Sequence, residues 1–298
     1  MFSPEGVFEC STPSSFTTSY QFQEGVTHSL RVNENNVGDS DDDTFCDPSS
    51  KSISGYMDIK GSKYDENGEN KHLFFWAYEK RGSFDDSTPL ILWLTGGPGC
   101  SSTLAMLTEN GACTVNDDAK TTSPNPYSWT ETAHVLWLDQ PAGVGFSYGE
   151  ENDTNEAMVS EDAYFFLQAF FQTYPEYPKN PFFVVGESYA GHYVPAIAHA
   201  VYEGNNNPRP NTVPINLAGL SIGNGLTNPE EQYQWYPEMG HNNSHGIQFF
   251  DDTAYETMMA VVPKCAALIH QCNQGDSMID EFGKDRSIGP TFCRSIRS

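Results

Sequence analysis

The stretch from Val184 to Pro195, VVGESYAGHYVP, limits what this chain can fold into more than any other. Two β-branched residues lead into Gly186, a serine follows between Glu187 and Tyr189, and Ala190 and Gly191 come next. β-Branched residues suit a strand, and the small residues after them permit a turn too sharp for bulky side chains. Beyond the turn, apolar groups resume at helical spacing. A strand and a helix joined by a tight, serine-bearing turn have the shape of a nucleophile elbow. Ser188 is thus the candidate nucleophile, and the backbone N–H of Tyr189, at the helix start, can face a developing oxyanion.

An elbow needs a sheet to stand on, and the flanking sequence supplies one. The segment HLFFWAYE from His72 reads as a strand, as do residues 89–95, 134–138 and 182–186 and the run INLAGLSIGNGL. The three runs at 89–95, 134–138 and 182–186 are expected side by side at the centre. Residues 155–174 carry apolar groups at helical spacing and stop before Pro175. Strands alternating with helices imply an α/β fold with a mostly parallel sheet covered on both faces. A second glycine turn, LTGGPGCSS at residues 94–102, lets backbone approach a ligand closely through Gly96, Gly97 and Gly99.

Charge narrows the partners. The 298 residues hold 40 acidic and 15 basic side chains, a net charge of −25. Nucleic acid and anionic membrane surfaces are therefore poor partners. The plainest reading of the acidity is a solvated surface; the functional one is adaptation to an acidic compartment. No run of apolar residues is long enough to predict a membrane-spanning helix. The seven cysteines show no metal-ligand spacing, so no metal or cofactor is expected. With the acceptor patterns Asn152-Asp153-Thr154 and Asn242-Asn243-Ser244, they favour an oxidising, secretory compartment, although no signal peptide is seen. Residues 1–45 are polar, close with GDSDDD, and read as a loop or pro-segment. Residues 46–232 read as the α/β core, and 233–298 as the start of a helical subdomain that includes TAYETMMAVVPKCAALIHQC.

The motifs ILWLTGGPGCSS, NPYSWTETAHVLWLDQPAGVGFSYG and VVGESYAGHYVPAIA closely resemble the serine carboxypeptidases. CDPSSKSISGYMDI and IGNGLTNPEEQY match in order, so the resemblance covers about residues 46–298. It implies an α/β-hydrolase fold and release of C-terminal residues from peptides, mostly at acidic pH, in the vacuole, the lysosome or outside the cell. Carried over by motif, Ser188 is the nucleophile, and the N–H groups of Gly97 and Tyr189 form the oxyanion hole. Thr95, Gly96, Glu109 and Glu187 occupy the positions that bind the substrate's carboxylate. Two neighbouring carboxyls cannot both ionise cheaply, so one keeps its proton and can donate to that carboxylate.

Thr95 stands where the family has asparagine, and its hydroxyl donates one hydrogen bond rather than two. The family's catalytic aspartate and histidine lie beyond an inserted helical region, so the resemblance implies a chain and a sheet incomplete at the C-terminus. None of His192, His199, His241, His245 and His270 matches the family's histidine motif; His192 reads as structural, and no general base is assigned. Asp139 belongs to the LDQP motif, outside the triad. The resemblance pairs Cys100 with a later cysteine, which leaves it a free thiol here, and makes a Cys265–Cys293 bridge plausible. Three functions stay open: a carboxypeptidase, an acyltransferase on the same scaffold, and a non-catalytic binding protein. Thr95 favours the second, and the retention of both Glu109 and Glu187 favours the first.

Overall fold

The computed structural model describes residues 14–24, 26–35, 46–62, 64, 70–151 and 153–273. They fall into two units, one ending at Asn224 and one beginning at Gly225.

The first unit opens with four strands, β1 (Ser14–Gln23), β2 (Val26–Asn35), β3 (Ser52–Lys60) and β4 (Asn70–Tyr78). β5 (Leu90–Leu94) leads to α1 (Ser102–Thr108) and the short strands β6 (Cys113–Val115) and β7 (Thr122–Pro124). Then come β8 (His134–Leu138), β9 (Tyr148–Gly149), α2 (Glu156–Thr173), β10 (Phe182–Glu187), α3 (Ala190–Asn206) and β11 (Leu217–Gly223). The main sheet runs β1-β2-β3-β4-β8-β5-β10-β11, with β9 beside β4. β8, β5 and β10 are adjacent, as expected.

The sheet is mixed rather than mostly parallel. β8, β5, β10 and β11 are parallel, whereas every pairing from β1 through β4 to β8 is antiparallel. Chain connectivity explains the split: β1 to β4 follow one another as a meander, while helices carry the chain back between parallel strands.

Side-chain alternation sets the two faces. Leu90, Leu92, Leu94, Leu136, Leu138, Phe182 and Val184 face α2 and α3. Trp93, Val135, Trp137 and Val185 face the other way, where Ala105 and Met106 of α1 meet them. Burial on both faces is why these strands read as unbroken apolar runs. α2 is capped by Asn155, whose side chain accepts from the N–H groups of Ala157 and Met158. It buries Phe165, Phe166, Phe170 and Phe171, about 6–12 kcal/mol of apolar transfer in total. A fully buried ion cluster fastens α2 to the sheet: Lys71 Nζ of β4 lies 2.7 Å from Asp153 Oδ1 and 2.9 Å from Asp162 Oδ2.

Residues 14–35 form a hairpin, not the polar loop expected of 1–45. Few of its side chains point inward: Phe22, His28, Leu30 and Val32 are buried among mostly polar neighbours, so the strand period is diluted. Phe22 stacks on His28 and on Phe165 of α2, with centroids 5.8 and 5.7 Å apart. Burial, only partly opposed by Glu161, pushes the His28 pKa down to about 4.

A disulfide joins Cys46 to Cys113, tying the entry to β3 onto β6. Beside it Arg81 donates to Asp47 Oδ2 at 2.6 Å and to the carbonyls of Asn125 and Ala112. Spacing alone could not name this pair.

The second unit contains α4 (Pro229–Gln232), α5 (Tyr236–His241) and α6 (Asp252–Asn273). Its start falls before the expected boundary at 232, because Gln232 folds back on the turn ahead of it. Its side chain accepts from the N–H groups of Thr227 and Asn228 and donates to the Gly225 carbonyl. Cys265 is a free thiol, against the Cys265–Cys293 bridge; Cys272, two turns along α6 and buried, is the disulfide-bonded cysteine. Cys293 lies outside the described residues. Among those residues no helix is long and apolar enough to cross a membrane.

Candidate active site

Between the last residue of β10 and the first of α3 the chain turns through Ser188, whose φ is +59°. A left-handed serine costs on the order of 1–2 kcal/mol, so the surroundings must impose it. They do: the Ser188 N–H donates to the Gly223 carbonyl of β11, and its carbonyl accepts from the Gly191 N–H, both at 3.0 Å. The serine side chain is left exposed.

The glycine turn after β5 lies against this elbow, backbone to backbone. A Cβ on Gly96 would sit 2.3 Å from the Tyr189 nitrogen and 2.7 Å from the Glu187 carbonyl oxygen. One on Gly186 would sit 2.3 Å from the Leu94 carbonyl oxygen. Gly97 follows with φ +114° and an exposed backbone. Gly96 is thus brought against Ser188 and Tyr189. Thr95, just ahead of them, accepts from Trp93 Nε1 at 3.1 Å, and its N–H donates to Ser102 Oγ at 3.1 Å.

Glu187 ends β10, and Glu109 caps the C-terminus of α1. Partial burial, and then the charge of Glu187, raise the Glu109 carboxyl above its ordinary pKa. The two carboxyls therefore feel one another across the elbow.

Two further residues hold these turns without a role read from the sequence. Glu156, first in α2, accepts from the Tyr189 hydroxyl at 2.8 Å. Asp139 is fully buried at the end of β8 and accepts from Ser101 at the start of α1. Nothing local marks Glu156, whereas Asp139 stood in a recognised motif without a task.

The histidines that follow Ser188 in the chain have neighbours of their own. His192 packs its ring 4.7 Å from that of Tyr189, with Nε2 buried and lacking a hydrogen-bond partner. His199 pairs with Glu203, His241 with Asp252 and His270 with Glu230. Cys100 is an exposed free thiol, as expected. Among the described residues no group of side chains has the makings of a metal site.

A left-handed serine between a central parallel strand and the helix packed on it, faced by a glycine turn from the neighbouring strand, defines an α/β hydrolase. Comparison with known proteins is more specific. The chain belongs to the serine carboxypeptidase family, peptidase S10, whose pattern matches residues 43–289. It is 38% identical over 255 residues to carboxypeptidase Y of Komagataella phaffii, covering 86% of this chain and 45% of that protein. It is 42% identical over 209 residues to a serine carboxypeptidase-like protein of Oryza sativa subsp. japonica, covering 69% and 47%. Among solved structures it resembles the Kex1 prohormone-processing carboxypeptidase of Saccharomyces cerevisiae, with a TM-score of 0.65 and 28% identity over 85% of this chain and 53% of that one. The chain spans less than half the length of the two relatives.

Proposed function

We propose that this chain carries the nucleophile and carboxylate-binding parts of a serine carboxypeptidase that releases C-terminal amino acids from peptides at acidic pH. The observation that carries the reading is the contact of the Gly96 turn with the Ser188–Tyr189 elbow. That contact supports a reading in which the N–H groups of Gly97 and Tyr189 act as the two oxyanion donors for Ser188. Ser188 Oγ attacks the scissile carbonyl and gives its proton to a general base. Collapse of the tetrahedral intermediate breaks the C–N bond, and the amine departs with that proton. Water then cleaves the acyl-enzyme by the reverse sequence. The base is a histidine of the kind the family carries beyond its inserted helical region; no described residue takes that part.

Glu109, whose carboxyl keeps its proton to higher pH, binds the substrate carboxylate together with Glu187, Thr95 and Gly96. Deprotonation turns that pair into a repulsive one, so binding weakens as pH rises through the raised Glu109 pKa. The Cys46–Cys113 disulfide supports an oxidising, secretory compartment. A second reading, acyl transfer to an alcohol, draws on Thr95, whose single O–H grips a carboxylate less firmly than an amide.

The test assays the protein isolated from its source and the 298-residue chain, each beside Ser188→Ala, on an N-blocked dipeptide near pH 5. Amino-acid release by the native protein, abolished by the substitution, supports the reading. Ester formation with an added alcohol, without such release, favours acyl transfer. Release by neither route refutes both. Robust Ser188-dependent hydrolysis by the 298-residue chain itself would place a base within this sequence.

A further inference from the structure

We infer that Asp139 is the positioning residue for the glycine turn that supplies the Gly97 N–H, an assignment that rests on the reading above for its catalytic meaning. Its carboxyl group is fully buried and makes three hydrogen bonds, all from neutral donors. Oδ1 accepts from the Ser101 hydroxyl at 2.7 Å and from the Thr103 N–H at 3.0 Å. Oδ2 accepts from the Phe146 N–H at 3.0 Å. No lysine, arginine or histidine among the described residues pairs with it. A buried carboxylate held by neutral donors alone is costly to keep, and a well-packed apolar residue would serve stability as well or better. The arrangement makes sense as a positioning device.

The geometry shows what it positions. Asp139 directly follows β8, the strand beside β5, and its own backbone is locked. Its N–H donates to the Phe74 carbonyl at 2.9 Å, and its carbonyl accepts from the Ser147 hydroxyl at 2.6 Å. From that fixed point one oxygen grips the first turn of α1, directly after the glycine turn. The other grips the loop that follows β8. Gly145 leaves room for this reach, since a Cβ there would lie 2.1 Å from Oδ2. The first turn of α1 also holds the front of the glycine turn, because Ser102 Oγ accepts from the Thr95 N–H. The segment from Gly96 to Cys100 is thereby held at both ends. Three of its five residues are glycines, so without such anchors its backbone would sample many conformations. Asp139 touches neither substrate nor the reacting atoms; it acts through Ser101 and Thr103 on the direction of the Gly97 N–H.

The test is Asp139→Asn, which keeps the shape and turns one acceptor into a donor facing an N–H or O–H. Hydrogen exchange of the 298-residue chain reads the positioning directly. Peptides spanning residues 94–102 should exchange about tenfold faster or more, while those from β10 and α3 keep wild-type rates. In the native protein, kcat should fall by about 10²-fold to 10³-fold with KM little changed, because a misdirected oxyanion donor harms the transition state and spares ground-state binding. Ser101→Ala, which removes one of the three contacts, should show the same pattern with a smaller loss. Unaltered exchange at 94–102 overturns the inference whatever the kinetics, and so does acceleration spread evenly over the unit, which marks a purely structural residue. Normal kcat in an Asp139→Asn protein whose wild type is active also overturns it. A native protein with no Ser188-dependent activity defeats the proposed function, and the exchange result then still decides the positioning.

Discussion

Replacing Lys71 by methionine leaves two carboxylates facing each other in the interior. Lys71 is 0% exposed and Asp153 and Asp162 are each 2% exposed. Burial works against the Lys71 charge, yet attraction to Asp162 and the hydrogen bonds it donates to both carboxylates outweigh it and hold its pKa above the ordinary value. A raised lysine stabilises fully below its unfolded pKa and loses that contribution only as pH climbs through the folded one, so the cluster is intact at every pH from mildly acidic to neutral. Removing one partner of a buried pair costs about 3–5 kcal/mol, because the carboxylates left behind lose its compensating charge. With a urea slope of about 2 kcal/mol per molar, the unfolding midpoint near pH 7 should fall by about 2 M. Acidification should narrow the gap. The two carboxylates of the variant bind a proton more tightly folded than unfolded, which returns up to about 1.4 kcal/mol per pH unit below the raised pKa. Tryptophan fluorescence during urea titration near pH 7 and near pH 5, on wild type and Lys71→Met, measures both effects. Adding Asp153→Asn and Asp162→Asn should recover much of the loss. A deficit under about 1 kcal/mol at neutral pH, or one that widens in acid, would refute the reasoning.

Three further outcomes follow from other parts of the molecule. On the proposed reading, Glu109→Gln keeps a permanent donor for the substrate carboxylate, so KM for a peptide with a free C-terminus should not rise with pH as the wild-type KM should; steady-state kinetics from pH 4.5 to 7 checks this. Burial and the nearby Lys80 charge lower the His134 pKa to about 4, so folding gives up about 3 kcal/mol as pH falls from 6.5 through that value. His134→Asn should flatten that stretch of a stability–pH profile. Replacing Cys46 and Cys113 by serine frees a loop with a sequence separation of 67 and should lower stability by about 4 kcal/mol, read as a lower melting temperature.

The parts legible in the sequence share one physical property: their signal is local. β5, β8 and β10 are buried on both faces, so each is an unbroken apolar run, and the turns after β5 and β10 are written in glycine and serine. The hairpin of β1 and β2 is half solvated, and its inward face includes a histidine, so composition disguised it as a loop. The Cys46–Cys113 bridge, the Glu156–Tyr189 hydrogen bond and the reach of Asp139 to α1 join residues far apart in the chain, and no window of sequence contains them.

The backbone contact between the Gly96 turn and the elbow also bears on how such a site can diversify. Where Gly96 meets Tyr189 and Gly186 meets Leu94, a single methyl group would collide with main chain that cannot move aside as a flexible side chain would. Variation is thereby closed off at the centre of the site and left open at its margin, where Thr95, Glu109 and Cys100 present side chains that can be exchanged. A mutational library aimed at new acceptors or new C-terminal preferences is best spent on those marginal positions, and lineages that change chemistry on this scaffold should differ there while keeping both glycines.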